Sequence, residues 1–357
     1  MITDIVMMPG KDYQAICDAV RAKTGGTELL KSGDIPAQIE GISGGGEKIL
    51  YMDAELLNAG GAYPADADDY TTAVIPAGAY VSLDVFENLP NVTKAIVEGD
   101  CEFETYSDKY DMWTVYRTAL TYSGQITEFT LNTSGDLARY YAYQTYTLRK
   151  VNVSCDEMFD SAFSYCYGLI EAVVRANFLA GSAFNYCQSL KKAEFDFPAT
   201  AIPSYTFGNC KRLEAFNIPE TVTEIGTYAF QYCERLTGIL LPNGLTTLGN
   251  YAFYYCKSLT EIVIPGGVGS IGNYAFYHCD NLREVTIHEG VASIGSNAFS
   301  YCNNLSVITI PASVTSIGSA SSSYAPTIPK TAVIRGYAGS YAETYASENG
   351  YTFEVIE

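Results

Sequence analysis

Basic residues are scarce in this sequence. The 357 residues include 21 Lys and Arg against 40 Asp and Glu, so the formal net charge is −19. Nucleic acids and anionic membranes are bound through basic surface, and this charge balance therefore argues against both as partners. The sequence also contains no run of 18 apolar residues, so it predicts no membrane-spanning helix.

Patterns that carry metal or catalytic chemistry are missing as well. Two histidines occur, His278 and His288, and there is no C-x-x-C, Walker or H-E-x-x-H motif. Zinc sites need clustered thiolates or imidazoles, which this spacing does not provide. We therefore predict that the protein is not an enzyme and holds no metal or cofactor.

One 23-residue unit, written several times in succession, dominates what the sequence does contain. The unit reads x-A-F-x-x-C-x-x-L-x-x-I-x-I-P-x-x-V-x-x-I-G. Its period is marked by Phe207, Phe230, Phe253, Phe276 and Phe299, and by Cys210, Cys233, Cys256, Cys279 and Cys302. A fixed period of this length predicts a solenoid.

Apolar spacing within the unit predicts the shape of each coil. Ile262 and Ile264 are two residues apart, the period of a strand, so each coil should provide one short strand. Pro265 removes a backbone donor directly after the strand, and Gly272 permits a turn. Phe253 supplies apolar bulk from the opposite side of the coil. A single coil buries too few side chains to fold alone, so the coils must stack.

These blocks carry a resemblance to a known family. The A-F-x-x-C, L-x-x-I-x-I-P and V-x-x-I-G patterns resemble the BspA-like class of leucine-rich repeat over at least residues 151–318. Proteins of that class occur on many bacterial surfaces, and the class is described as a curved solenoid used for adhesion. The resemblance implies a binding scaffold rather than a catalyst.

The positions of the repeats predict the organisation of the chain. Coils start at Val92, Ile126, Leu148, Leu169, Leu190, Leu213, Leu236, Leu259, Leu282 and Leu305. We predict a β-rich leucine-rich-repeat solenoid of about ten coils, mostly of 21–23 residues, over residues 74–330. A C-terminal cap closes it at residues 331–357, and the long gap after Val92 predicts an insertion at Tyr106–Tyr116 around Trp113.

The cysteines of the repeat are predicted to be reduced. Seven of the ten share one slot of successive coils: Cys166, Cys187, Cys210, Cys233, Cys256, Cys279 and Cys302. An odd number of equivalent cysteines is better explained as small buried hydrophobic residues than as disulfides. Stacked coils would nonetheless bring neighbouring cysteines within bonding distance, so a disulfide ladder stays the alternative.

The N-terminal residues 1–42 form a separate predicted module with helical segments. A flexible linker and lead-in segment follows at 43–73, in which residues 49–52 can form a strand. The run YQAICDAVRAKTGGTELLKSGDIPAQIEGI resembles a segment near the start of tail-associated structural proteins of phages and prophages of Gram-positive bacteria, which implies attachment to other virion tail proteins. A helical plug over the end of the solenoid is the alternative.

The start of the sequence bears on export. The residues MITDIVMMPGKDYQAI lack a basic region followed by an apolar run, so we expect no secretory signal there.

Positions beside the repeat Phe and Cys vary most between coils and are rich in Tyr, Ser, Asn and His. Binding surfaces favour this composition, and tyrosine also suits stacking on sugar rings. The candidate ligand-binding residues are Tyr228, Tyr232, Tyr251, Tyr254, Tyr255, Tyr274, Tyr277, His278 and Tyr301. Two alternatives stay open: the tyrosines only shield the edges of the coils, or the strand face around Thr260, Glu261 and Arg283 binds instead.

These observations lead to one functional hypothesis and two rivals. The hypothesis is a phage or prophage tail-tip or receptor-binding protein, located in the virion tail after assembly in the bacterial cytoplasm, that adheres to a bacterial surface glycan or protein. The rivals are a bacterial cell-surface adhesin and a structural spacer without a ligand. A homo-oligomer is compatible with the sequence, although no heptad repeat enforces one.

Overall fold

A computed structural model describes residues 49–52, 57, 69–81, 85–86, 89–103, 106–110, 113–117, 120, 124–135, 137, 141–196, 199–319 and 325–357. The predicted N-terminal module at 1–42 lies outside the described residues. So does most of the predicted linker.

Nearly all regular structure in the described part is short parallel strand. The strands are β1 (Ile49–Tyr51), β2 (Thr72–Ile75), β3 (Tyr80–Val81), β4 (Lys94–Glu98), β5 (Glu102–Phe103), β6 (Tyr106–Tyr110), β7 (Trp113–Arg117), β8 (Glu128–Asn132), β9 (Lys150–Met158), β10 (Glu171–Leu179), β11 (Lys192–Phe195), β12 (Ala201–Ile202), β13 (Glu224–Ile225), β14 (Thr247–Leu248), β15 (Glu261–Ile264), β16 (Ser270–Ile271), β17 (Glu284–Ile287), β18 (Ser293–Ile294), β19 (Val307–Thr309), β20 (Ser316–Ile317), β21 (Val333–Gly336) and β22 (Phe353–Val355). A helix, α1 (Tyr341–Asn349), precedes β22.

The L-x-x-I-x-I-P segments form one face of the solenoid, as predicted. Strands β1-β2-β4-β8-β9-β10-β11 make a seven-stranded parallel sheet, and β15-β17-β19-β21-β22 make a five-stranded one. Between them Ala215 and Gly238 pair through single bridges, so all ten predicted coils contribute to this face. Strands β1 and β2 add two rungs before the first predicted coil at Val92.

A second parallel sheet, which the sequence did not predict, runs along the V-x-x-I-G segments. It contains β12-β13-β14-β16-β18-β20, and Ile271 pairs with Leu248 and Ile294. Gly272 begins a turn, as predicted, since its carbonyl accepts from the Ala275 N–H at 3.3 Å. Its φ is not left-handed, however, and a Cβ there would lie 2.5 Å from backbone atoms of Gly249. The glycine is needed because two strand ends approach closely.

The core is a stack of equivalent side chains. The phenylalanines that occupy the repeat slot of seven successive coils are fully buried, and neighbouring rings stack with centroids 5.2–5.9 Å apart; they are Phe163, Phe184, Phe207, Phe230, Phe253, Phe276 and Phe299. The seven repeat cysteines are buried free thiols. Each thiol donates to a backbone carbonyl of the preceding coil, as Cys256 does to Phe230 at 3.2 Å. The thiols therefore have a structural role in joining coils.

The predicted insertion and cap have clear forms. Strands β6 and β7 pair antiparallel as a hairpin in which Tyr110 lies opposite Trp113. At the C-terminus α1 begins at the N-cap Ser340, whose hydroxyl accepts from the Glu343 backbone, and ends at Gly350 with φ 68°. Strand β22 then closes the edge of the five-stranded sheet.

Candidate functional site

The nine predicted ligand-binding residues lie on one continuous surface, which we call the tyrosine face. Its members are Tyr228, Tyr232, Tyr251, Tyr254, Tyr255, Tyr274, Tyr277, His278 and Tyr301, and each is half-buried. Every one of them contacts at least one other ring of the set. The surface therefore connects four successive coils.

The rings stand in three rows that run along the solenoid. The first row holds Tyr228, Tyr251 and Tyr274, with centroids 4.6 and 4.8 Å apart. The middle row holds Tyr254 and Tyr277, 5.1 Å apart. The third row holds Tyr232, Tyr255, His278 and Tyr301, with spacings of 5.0, 4.5 and 4.5 Å. These spacings match the distance between stacked coils, so the rows follow directly from the repeat.

An unusual backbone conformation sets the rows. Fifteen non-glycine residues of the described part have positive φ, and nine of them are tyrosines of the first and third rows or their equivalents in other coils. Tyr251 and Tyr255, at φ 57° and 60°, are typical. Their N–H groups donate along the axis to Asn273 and Tyr277 of the next coil, at 2.9 and 2.8 Å. Left-handed turns thus place each ring beside its equivalent in the adjoining coil.

The tyrosine face is almost neutral. Burial, and secondly the neighbouring phenols, raise the pKa of Tyr254 well above its ordinary value, so its hydroxyl stays protonated at physiological pH. Lys257 lies 5.5 Å from the centre of the Tyr255 ring and pairs with Glu234 at 3.4 Å. His278 Nδ1 lies 3.1 Å from a carboxylate oxygen of Asp280. The surface can therefore offer hydroxyl groups and ring edges, with little net charge.

Stacking within the rows determines which part of each ring a ligand could contact. The Tyr251 ring lies between Tyr228 and Tyr274, with interplanar angles of 18° and 3°. Both of its faces are covered by its neighbours. Ring edges and hydroxyls, rather than open ring faces, make up the middle of the tyrosine face.

A second aromatic cluster was not among the predicted site residues. It contains Tyr143, Tyr146, Tyr165, Tyr167 and Tyr186 in earlier coils. Tyr146 and Tyr167 stack at 5.5 Å, Tyr165 and Tyr186 stack at 4.6 Å, and Tyr143 lies 5.3 Å from Tyr165. Tyr146 and Tyr167 are 53% and 38% exposed. The repeat could have revealed this cluster, because Tyr165 and Tyr186 occupy the same slot as Tyr232.

The strand face gives a weaker candidate surface. The hydroxyls of Thr260 and Ser306 donate to backbone carbonyls of the preceding coils, at 3.2 and 2.9 Å, so they join coils rather than face a ligand. Leu240 and Val263 are exposed there, and the sequence interpretation of this face as ordinary polar sheet omitted them.

Within the described ranges no cluster of three or more His, Cys, Asp or Glu could hold a metal ion. None of the helices described there combines the length and apolar character that crossing a bilayer requires.

Comparison with known families agrees with this geometry. The model of the BspA type leucine rich repeat region matches residues 99–211 and 200–328, with six copies of the repeat, which together span more than half of the chain. The chain belongs to the BspA-type leucine-rich repeat family. The fold of this family is typically a recognition scaffold without enzymatic activity. A search of curated proteins gives no match.

Solved structures with similar folds include several bacterial leucine-rich repeat proteins. One from Bacteroides ovatus is 15% identical, with 86% of this chain and 88% of that chain covered and a TM-score of 0.34. The Treponema pallidum protein TpLRR is 20% identical, with 71% and 95% covered and a TM-score of 0.37. A leucine rich cell surface protein from Faecalibacterium prausnitzii is 17% identical, with 61% and 86% covered and a TM-score of 0.30.

Proposed function

We propose that this BspA-type protein is a non-enzymatic recognition protein that binds a bacterial surface glycan or protein through its tyrosine face. One observation carries the proposal: nine half-buried aromatic residues from four successive coils form a single connected surface. Such a surface combines large contact area with phenolic hydrogen-bonding groups, the combination that recognition loops of antibodies also use.

The rigidity of the tyrosine face supports this role. Binding costs free energy when mobile side chains must be ordered, at about 0.5–1.5 kcal/mol per side chain. Tyr254 is in contact with the rings of Tyr232, Tyr251 and Tyr277 before any ligand arrives. A ligand therefore meets groups that are already fixed in place.

We further propose that the protein acts in a phage or prophage tail. In this proposal residues 1–42 attach the chain to other virion tail proteins, and the solenoid contacts the host bacterium. The support is the resemblance of the N-terminal segment to tail-associated proteins.

The second candidate is an adhesin on a bacterial cell surface, which membership in the BspA-type family favours. Antibody labelling of induced virions and of intact producer cells separates these locations. Label on tail tips supports the tail role, whereas label on the cell envelope alone supports the adhesin.

Whole-cell binding tests recognition itself. The purified full chain is incubated with a panel of Gram-positive bacteria, beside a variant in which Tyr254, Tyr255 and Tyr277 are changed to Ala. We expect strain-selective binding that the variant loses at least about tenfold, because the removed rings form the centre of the tyrosine face. A matched variant, Thr260→Ala with Ser306→Ala on the strand face, should bind normally.

Two results would contradict the proposal. Binding to no strain would favour the spacer without a ligand. Binding that survives the tyrosine changes and fails in the strand-face variant would place the site on the strand face.

A further inference from the structure

The β6–β7 hairpin belongs to neither of the two long sheets of the solenoid. It forms a two-stranded sheet of its own, and no other strand of the described residues pairs with either of its edges. A hairpin of two strands is only marginally stable in water until further strands or a helix complete it. The free edges of this hairpin are therefore candidates for pairing with another chain.

The register of the hairpin shows which backbone groups face each edge. Two residues connect β6 to β7, so Tyr110 and Trp113 form the closing hydrogen-bonded pair. Hydrogen-bonded and non-hydrogen-bonded pairs alternate along an antiparallel ladder, which makes the pair of Asp108 and Val115 hydrogen-bonded as well. The backbone groups of Val115 thus point towards β6, and those of its two neighbours in the chain point to the free edge of β7.

Pairing between two copies of β7 satisfies the backbone groups at this edge. When the two strands lie antiparallel about a two-fold axis at Val115, Thr114 of one copy is opposite Tyr116 of the other. Both residues carry outward backbone groups, so each of the two equivalent pairs can form two hydrogen bonds. A shift of one residue sets outward groups opposite inward ones, and a shift of two leaves one such pair within β7. The register centred on Val115 is therefore favoured.

The distribution of charge favours β7 over β6 as the edge that pairs. Arg117 is the one charged residue of β7, and the favoured register places it opposite Trp113 of the second copy, so no like charges meet. The same construction on β6 is centred on Asp108, and two carboxylates would then lie directly opposite each other, which destabilises a strand pair. The other residues of β7 are Trp, Thr, Val and Tyr, which all favour strands.

We propose that two copies of this chain associate through the free edge of β7, so that two hairpins form one four-stranded antiparallel sheet across a two-fold axis. The partner at this edge is a second copy rather than an unrelated chain, because β7 is complementary to itself in both hydrogen bonding and charge. The inference goes beyond the proposed function and does not rest on it. A dimer carries two tyrosine faces, and binding to a surface with repeated ligands would gain from avidity.

The oligomeric state of the purified full chain is the first test. Gel filtration with light scattering, at concentrations from about 1 to 200 μM, covers the range in which small interfaces associate. We expect the measured mass to rise from that of one chain to that of two across this range. The mass of a single chain at every concentration would overturn the inference.

Val115→Lys distinguishes this edge from every other surface of the chain. Within the hairpin the new lysine lies opposite Asp108, and such an opposite-charge pair supports the hairpin. Across the two-fold axis it lies opposite the same lysine of the second copy, so dimerisation should weaken at least about tenfold. The matched control, Ser107→Lys, adds the same charge on the outer strand β6 and should dimerise as the unaltered chain does. A dimer that persists in Val115→Lys would contradict the proposed interface.

Disulfide cross-linking tests the register. Val115→Cys places two thiols opposite each other in a non-hydrogen-bonded pair, with Cα atoms about 4.5 Å apart, which a disulfide can span. In Thr114→Cys the two thiols lie diagonally, with Cα atoms about 7–8 Å apart, beyond that reach. Mild oxidation should therefore give a covalent dimer in Val115→Cys, whereas Thr114→Cys should stay at the level of the unaltered chain. Equal cross-linking in the two variants, or none in either, would overturn the inference.

Discussion

The residue that defines this protein is a tyrosine in a left-handed backbone. A non-glycine residue in that region costs on the order of 1 kcal/mol, and the described part contains nine such tyrosines. The cost is offset because the N–H of eight of the nine donates to a carbonyl of the next coil, and because the rings pack on the rings at the same position of adjoining coils. Tyr251, for example, has rings packed on both of its faces.

Phenylalanine and tyrosine one residue apart should differ sharply in their effect on stability. Phe253 is fully buried between Phe230 and Phe276, so Phe253→Ala leaves a cavity and should cost about 3–5 kcal/mol. Tyr254 is half-buried at the surface, and Tyr254→Ala should cost about 1 kcal/mol through lost ring contacts. Urea unfolding followed by circular dichroism measures both values. Equal losses of stability in the two variants would contradict the assignment of Phe253 to the core and Tyr254 to the surface.

At the scale of one element, the coil depends on glycines that are required for their lack of a side chain rather than for a left-handed φ. Gly226, Gly249, Gly272 and Gly295 end successive segments of the second sheet, and a Cβ on any of them would lie 2.5–2.7 Å from the backbone of the preceding coil. Real Cβ atoms do not approach backbone so closely, so the stacking distance itself excludes a side chain.

Two glycines of one coil provide a matched pair for testing this contact. Gly272→Ala should destabilise the solenoid by roughly 3 kcal/mol, because the backbone of Gly249 must move to make room. Gly269→Ala meets nothing within 4 Å and should change stability by less than about 0.5 kcal/mol. The midpoints of urea unfolding of the two variants give the difference in their stability. A Gly272→Ala protein as stable as Gly269→Ala would show that the coils are packed less tightly.

Sequence periodicity predicted much of this element, and the failures have physical causes. The alternation of Ile262 and Ile264 revealed the first strand. Strand β16 was not predicted, because two residues are too few to show a periodic pattern. The tyrosine face was predicted from composition, whereas the left-handed φ values were not, since tyrosine rarely adopts them.

At the scale of the whole molecule, ionisable thiol groups are buried at the same position of successive coils. Burial raises the pKa of Cys187, Cys210, Cys233, Cys256 and Cys279, and coupling to neighbouring thiols adds to the effect at several of them. The thiols therefore stay protonated in the folded protein at pH values where an unfolded chain loses its thiol protons.

This difference predicts a loss of stability in alkali. A thiol whose pKa is higher in the folded than in the unfolded chain stabilises the fold fully at pH values below its ordinary pKa of 9.0. This stabilisation is lost as the pH rises above that value. Each of the five thiols should lower the free energy of unfolding by roughly 1.4 kcal/mol per pH unit there. Urea midpoints measured from pH 7 to pH 11 in reducing buffer should be level at first and then fall steeply.

A variant identifies the thiols as the cause. Cys233→Ala with Cys256→Ala removes two of the five groups, so the decline above pH 9.0 should be shallower even though the protein starts out less stable. An unchanged slope would assign the alkaline loss to the tyrosines instead, whose pKa values are also raised by burial.

The hydrogen bonds between coils have a consequence for how such a protein changes over generations. Tyr228, Tyr251 and Tyr274 donate to Asn250, Asn273 and Ser296, so each coil presents the same donors above and the same acceptors below. Recombination between two copies of the 23-residue unit can therefore remove or duplicate a whole coil and rejoin the chain without breaking that pattern. The rows of rings lengthen or shorten together with the coils. A lineage can thus alter the length of the tyrosine face, the proposed recognition surface, by one coil at a time.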